Sequence, residues 1–159
     1  MTDPSDLYWM HHALLLAYYA QYHREIPIGA VLVIHNHLIS KGWNQPIRLN
    51  DPTAHAEIVA LREAGRVIQN YRLVNSTLYV TMEPCLMCFG AIIHSRVKRL
   101  VYGTSNTKHE TIRTLKYIQE TLKVHHHIQI ESGILEKECK IVLNQFFRYQ
   151  RIKKTNLIS

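Results

Sequence analysis

The sequence predicts a three-layer α/β/α sandwich around a central mixed five-stranded sheet, within a single domain spanning 1–159. Three observations lead there. Strand-like apolar runs alternate with stretches of helical spacing along the whole chain. The run over 77–82 is apolar almost throughout, as expected of a strand buried on both faces. With 159 residues, the chain can bury one substantial core and is too short for two comfortable ones.

Ser5 or Asp6 is placed to cap a first helix running to about Arg24, with Leu7, Met10, Leu14 and Ala17 at helical spacing. Residues 28–34, a turn at His35-Asn36-His37 and a return through Leu38 and Ile39 read as a hairpin. Trp43-Asn44-Gln45-Pro46 ends that sheet segment, and a loop runs on to Asp51. The next helix, entered at Asp51-Pro52, carries His55, Ile58, Val59, Leu61 and Arg62 and is expected to break or end at Gly65. After the strand at 77–82 comes a short helix to about Ser95, then a strand over 99–102. Helical spacing recurs from about 110 to 124, a short strand falls at 128–130, and a long helix with a basic end starts at about 136.

Composition narrows the partners. Nineteen Lys and Arg against twelve Asp and Glu leave a net charge of +7. That balance favours polyanions, nucleic acid before acidic membrane surfaces. No stretch reaches the roughly eighteen apolar residues of a membrane span, and the acidic N-terminus lacks the basic start of a signal peptide. The expected location is the cytoplasm, where thiols stay reduced. Cys139, isolated within a helical pattern, is expected to be a small core residue.

The chemistry concentrates in two short stretches, His55-Ala56-Glu57 and Pro84-Cys85-Leu86-Met87-Cys88. His55, Cys85 and Cys88 make a three-ligand set for Zn2+, the pattern of a catalytic site that keeps its fourth position for water. A structural zinc site would normally want a fourth Cys or His, and neither stretch offers one. A Cys85–Cys88 disulfide is the competing use, which nothing in the composition favours. Glu57 then remains to carry protons. On a regular helix His55 and Glu57 would diverge by about 200°. They converge only where the chain is entering its helix, which places both motifs at helix N-termini, with Glu83 as a cap and Pro84 at the first helical position of the second.

His-x-Glu followed by Pro-Cys-x-x-Cys is the known signature of zinc-dependent nucleobase deaminases. With Tyr8-Trp9-Met10, Ile26-Pro27-Ile28-Gly29-Ala30-Val31, Gly42-Trp43-Asn44, Asn70-Tyr71-Arg72-Leu73 and Ile93-His94-Ser95-Arg96, the chain resembles the bacterial tRNA-specific adenosine deaminases of the cytidine-deaminase-like superfamily. The resemblance covers roughly Leu7 to Arg151. It implies a homodimer that converts adenosine to inosine at the wobble position of a tRNA anticodon, by hydrolytic deamination of a base flipped out of the loop. Glu57 would be the catalytic acid and base. Asn44, Ala56, Lys108, Phe147, Arg148 and Arg151 would bind the substrate.

The chain also departs from the resemblance. Asn106 stands where an acid is usual in a loop that approaches nucleic acid, and Gln150 where an Arg is common. His125-His126-His127 cannot aim three rings at one ion from a regular strand, because neighbouring side chains alternate faces. Of Phe146 and Phe147, at least one is expected in the core, since consecutive helical residues point about 100° apart. Two other functions fit part of the pattern. A deaminase of free bases or nucleosides would share the zinc site but not need the basic end. A non-catalytic RNA-binding subunit would typically lose Glu57, which is present.

Overall fold

The computed structural model describes residues 4–105, 117, 120 and 126–155. It contains α1 (Pro4–Tyr22), β1 (Gly29–Ile34), β2 (His37–Trp43), α2 (Pro46–Leu49), α3 (Ala56–Ile68), β3 (Ser76–Met82), α4 (Leu86–His94), β4 (Arg99–Thr104), β5 (Gln129–Ser132) and α5 (Glu136–Thr155). The helix expected over 110–124, together with Asn106, Lys108 and His125, lies almost wholly outside the described residues.

The strands form one mixed sheet in the order β2-β1-β3-β4-β5. β1 is antiparallel to both neighbours, whereas β3, β4 and β5 run parallel. Period-two alternation splits the core. Ala30, Leu32, Leu78, Val80, Leu100 and Tyr102 face α3 and α4, while Val31, Val33, Tyr79 and Val101 face α1 and α5. Helices therefore cover both faces, giving the three layers of a cytidine-deaminase-like fold. Cys139 is fully buried in the second cluster, as expected, and desolvation pushes its thiol up to about 12.

The register brings several chain ends to one end of the sheet. Met82 pairs with Thr104 and Trp43 with Gly29, so β2, β3 and β4 finish where β1 starts. Two close approaches fix helices against this sheet. A β-carbon at Gly42 would run into the Ala56 carbonyl oxygen, so only glycine lets β2 seat the first turn of α3. Gly29 does the same for α1, meeting the Ala13 carbonyl.

Several boundaries differ from expectation. Asp6 does not cap α1 but is buried in an ion pair with Arg99, and Leu7 is exposed. β2 extends through Trp43, and Pro46–Leu49 forms a helical turn within the expected loop, with Pro46 in the first helical position. Gly65 does not end α3. The helix continues to Ile68 and closes on Gln69 in the left-handed conformation, whose N–H donates to the Gly65 carbonyl. Among the described residues, no helix is long and apolar enough to cross a membrane.

Candidate active site

Two helix entrances meet at the end of the sheet where β2 and β3 finish. His55 occupies the N-cap of α3 with extended backbone (φ −71°, ψ 155°), leaving Ala56 and Glu57 as its first two helical residues. The approach is fixed by Asp51, whose Oδ1 accepts from the Thr53 N–H at 2.8 Å and the Thr53 hydroxyl at 2.7 Å. The cap acceptor comes from elsewhere. Asn44 Oδ1 accepts from the Ala56 N–H at 2.8 Å, satisfying a helix-end donor and leaving the His55 imidazole available. On the other side Cys85 is itself the N-cap of α4 (φ −72°, ψ 170°), and Cys88 lies in the first turn. The second entrance thus starts later than the sequence suggests. Pro84 precedes the helix, and Glu83 binds the sheet through its N–H to the Thr104 carbonyl at 2.9 Å.

His55 Nδ1 lies 3.6 Å from Cys85 Sγ and 3.5 Å from Cys88 Sγ, and all three donor atoms fall within 4.8 Å of one another. Ligands at about 2.0–2.1 Å for nitrogen and about 2.3 Å for sulfur, set tetrahedrally, would place such pairs roughly 3.5 Å apart. The donor set therefore fits zinc in both chemistry and spacing. The two thiols titrate apart. Hydrogen bonding from Cys88 draws the Cys85 thiol down to about 4, and the same bond, with burial, pushes Cys88 up. Its bond to Cys85 raises His55. A dication at this point would hold both sulfurs as thiolates and the imidazole neutral, releasing protons on binding. Glu57 is 3% exposed, and desolvation pushes its carboxyl up to about 7, poised for proton transfer near neutral pH.

Residues 3–104 match the family model for the cytidine and deoxycytidylate deaminase zinc-binding region. A tRNA-specific adenosine deaminase from Buchnera aphidicola subsp. Schizaphis graminum is 52% identical over 95% of this chain and 99% of its own. The chain belongs to this deaminase family, in its tRNA-specific adenosine deaminase branch. The corresponding enzyme of Haemophilus influenzae is 51% identical, over 91% of this chain and 84% of its own. A solved structure described as a tRNA:A34 deaminase, studied for A-to-I editing at the wobble position, superposes with a TM-score of 0.79. It is 38% identical over 86% of this chain and 99% of its own. The family is zinc-dependent, and His55, Cys85 and Cys88 are the residues here that can hold the ion.

Lys108 lies outside the described residues, and the other expected site residues fall in two groups. Asn44 and Ala56 lie at the α3 entrance, hydrogen-bonded to each other. Phe147, Arg148 and Arg151 are exposed on α5, while Phe146 is buried. α5 packs on the opposite face of the sheet from α3 and α4, but its basic half returns to the site's end. Phe146, Tyr149, Gln150 and Lys153 line a cleft of about 300 Å³ with Gln21 and Arg24. Those two follow from α1 into the start of β1, at the end of the sheet where the cysteine helix begins. His126 accepts a different task from metal binding, with its Nε2 2.6 Å from the Val97 carbonyl oxygen.

Sequence reasoning overlooked Glu25 and Arg48. The buried Glu25 carboxylate accepts from the Arg48 N–H at 2.7 Å, taking the capping role in α2 that Gln45 does not fill. The only signal in the sequence is the Pro46 start, which marks a helix entry without naming its distant partner.

Proposed function

We propose that the protein catalyses zinc-dependent hydrolytic deamination of adenosine to inosine at the wobble position of a tRNA anticodon. The observation that carries this reading is the buried Glu57 carboxyl beside the three convergent donors of His55, Cys85 and Cys88. These three residues would hold the zinc, which when bound lowers the pKa of water to about 7. Glu57 accepts one proton from the attacking water and delivers it to N1 of the purine ring. It then takes the second from the new C6 hydroxyl and delivers it to the departing amine as the C6–N bond breaks and C6=O forms. Adenosine and water become inosine and ammonia, with no net change at Glu57. Asn44 holds the α3 entrance in place through Ala56 and contributes its amide to the nucleotide, while the Ala56 backbone lies along the base edge. A base in an anticodon loop is already unpaired, so presenting it costs less than extrusion from a duplex.

Phosphate contacts fall to Lys108, Arg148 and Arg151, with Phe147 exposed for stacking. The chain acts in the cytoplasm as one deaminase domain, 1–159, and as a homodimer. The surface suited to a second copy is the groove of about 820 Å³ between α3 and α4, lined in part by Met87, Ala91 and Tyr71. Exposed Leu86 and Val67 lie on the same two helices. Chelation provides the test. Activity on an anticodon stem-loop is expected to vanish when zinc is stripped and to return in proportion to zinc added, up to one ion per chain. Full activity in demonstrably metal-free protein would overturn the reading.

A further inference from the structure

The end of the sheet that carries the zinc ligands also carries a cation that the reaction described above leaves unused. Arg48 is exposed, yet it is held at both its backbone and its tip. Its N–H donates to the buried Glu25 carboxylate at 2.7 Å. Its Nη1 donates to Gln45 Oε1 at 3.1 Å, and its guanidinium carbon lies 5.5 Å from the centre of the Trp43 ring. Trp43 is in turn fixed by Tyr19 of α1, edge-on, and by His23 just beyond that helix, tilted against it, each with ring centres 5.0 Å away. Among the described residues no carboxylate pairs with the Arg48 guanidinium. A long cation usually gives up much rotamer freedom when it binds. Here that ordering is already in place and the charge is unspent.

Its position follows from the backbone around it. The Gln45 N–H donates to the Ala54 carbonyl at 2.9 Å, and Asn44 Oδ1 accepts from the Ala56 N–H at 2.8 Å. Residues 44 and 45 are thereby stitched to the two neighbours of His55, and Arg48 follows them by one turn of α2. We propose that Arg48 binds a phosphate of the anticodon-loop backbone beside the reactive nucleotide, with Trp43 as a positioning residue. The proposal rests on the tRNA reading above. A phosphate is the fitting ligand because Trp43 occupies one side of the guanidinium and Gln45 only one of its five N–H donors. The remaining donors form the planar fork that phosphate oxygens accept from.

The test compares zinc-loaded parent, Arg48→Gln and Arg48→Lys on a stem-loop with adenosine at the wobble position, over a series of salt concentrations. Arg48→Gln is expected to raise KM about fivefold with kcat held, the scale of one charge-assisted contact at a wet surface. Its binding should also lose about 0.7–0.9 from the slope of log K against log salt. Arg48→Lys should recover that slope while leaving KM raised, because a point charge lacks the fork. Trp43→Leu should raise KM in the parent but hardly further in Arg48→Gln, since Trp43 acts through the guanidinium. Zinc content and melting temperature of Arg48→Gln should match the parent's. An unchanged KM and salt slope in Arg48→Gln, beside an active parent, overturns this proposal alone. A parent inactive on the stem-loop overturns the functional reading and this proposal with it.

Discussion

Glu57 and His55 illustrate how one backbone choice sets the chemistry. Because His55 is extended and Glu57 already helical, two side chains only two residues apart serve the same small volume. The sequence demanded this convergence, since a continuous helix would have pointed them apart. It did not say that Asn44, eleven residues before His55, would supply the cap acceptor through the Ala56 N–H. Glu57 ligates nothing in the three-donor set. Glu57→Ala is therefore expected to keep zinc and fold while slowing deamination by 10²–10⁴-fold or more, the usual range when a general acid and base is removed. Metal analysis and single-turnover rates check this. Near-parental turnover would place the proton transfer elsewhere.

Among the elements, those with clean periodicity were legible and those built on distant partners were not. β3 is bounded within a residue of expectation, because a run such as Leu78-Tyr79-Val80 can be satisfied only between two layers. That at least one of Phe146 and Phe147 is core also followed from the helical step; that it is Phe146, with Phe147 outward, did not. The α4 start was misplaced because Pro84 suits a first helical position, whereas the hydrogen bond from Glu83 to β4 keeps the chain extended to Cys85. α2 was missed because Glu25 caps it from another part of the chain. α5 carries the prediction at this scale. Neutralising Arg148, Arg151 and Lys153 should raise KM for a stem-loop and flatten the salt slope by roughly 0.7–0.9 for each phosphate no longer neutralised. Melting temperature should scarcely move, since exposed charges add little to stability. A shifted melting temperature with an unchanged salt slope would make this end a solvated helix terminus instead.

At the scale of the molecule, the three layers are tied together far from the zinc ligands. Asp6 of α1 receives Arg99 of β4 through two bonds of 2.7 Å and the Tyr79 hydroxyl of β3 at 2.8 Å. Arg99 also reaches Glu131 of β5 at 2.7 Å. The Arg99 hydrogen bonds hold the Asp6 carboxyl below the usual carboxylate range, so it binds its proton more weakly folded than unfolded. Its stabilisation is thus complete above the unfolded pKa of about 3.9 and drains as pH falls through the lower folded value. Asp6→Asn should cost roughly 2 kcal/mol at neutral pH, because the Arg99 guanidinium loses its buried charged partner and keeps only Glu131. It should also flatten the acid limb of stability against pH in urea unfolding. An acid limb unchanged by the substitution would remove the network from the stability account. The claim that joins all three scales is that this site acts on adenosine held in an anticodon loop. The most direct measurement digests the treated RNA to nucleosides and counts inosine, with free adenosine and cytidine offered in parallel. Inosine formed from the wobble adenosine of the stem-loop, with both free nucleosides untouched, is the expected result. Conversion of free nucleosides with the stem-loop left intact would contradict it.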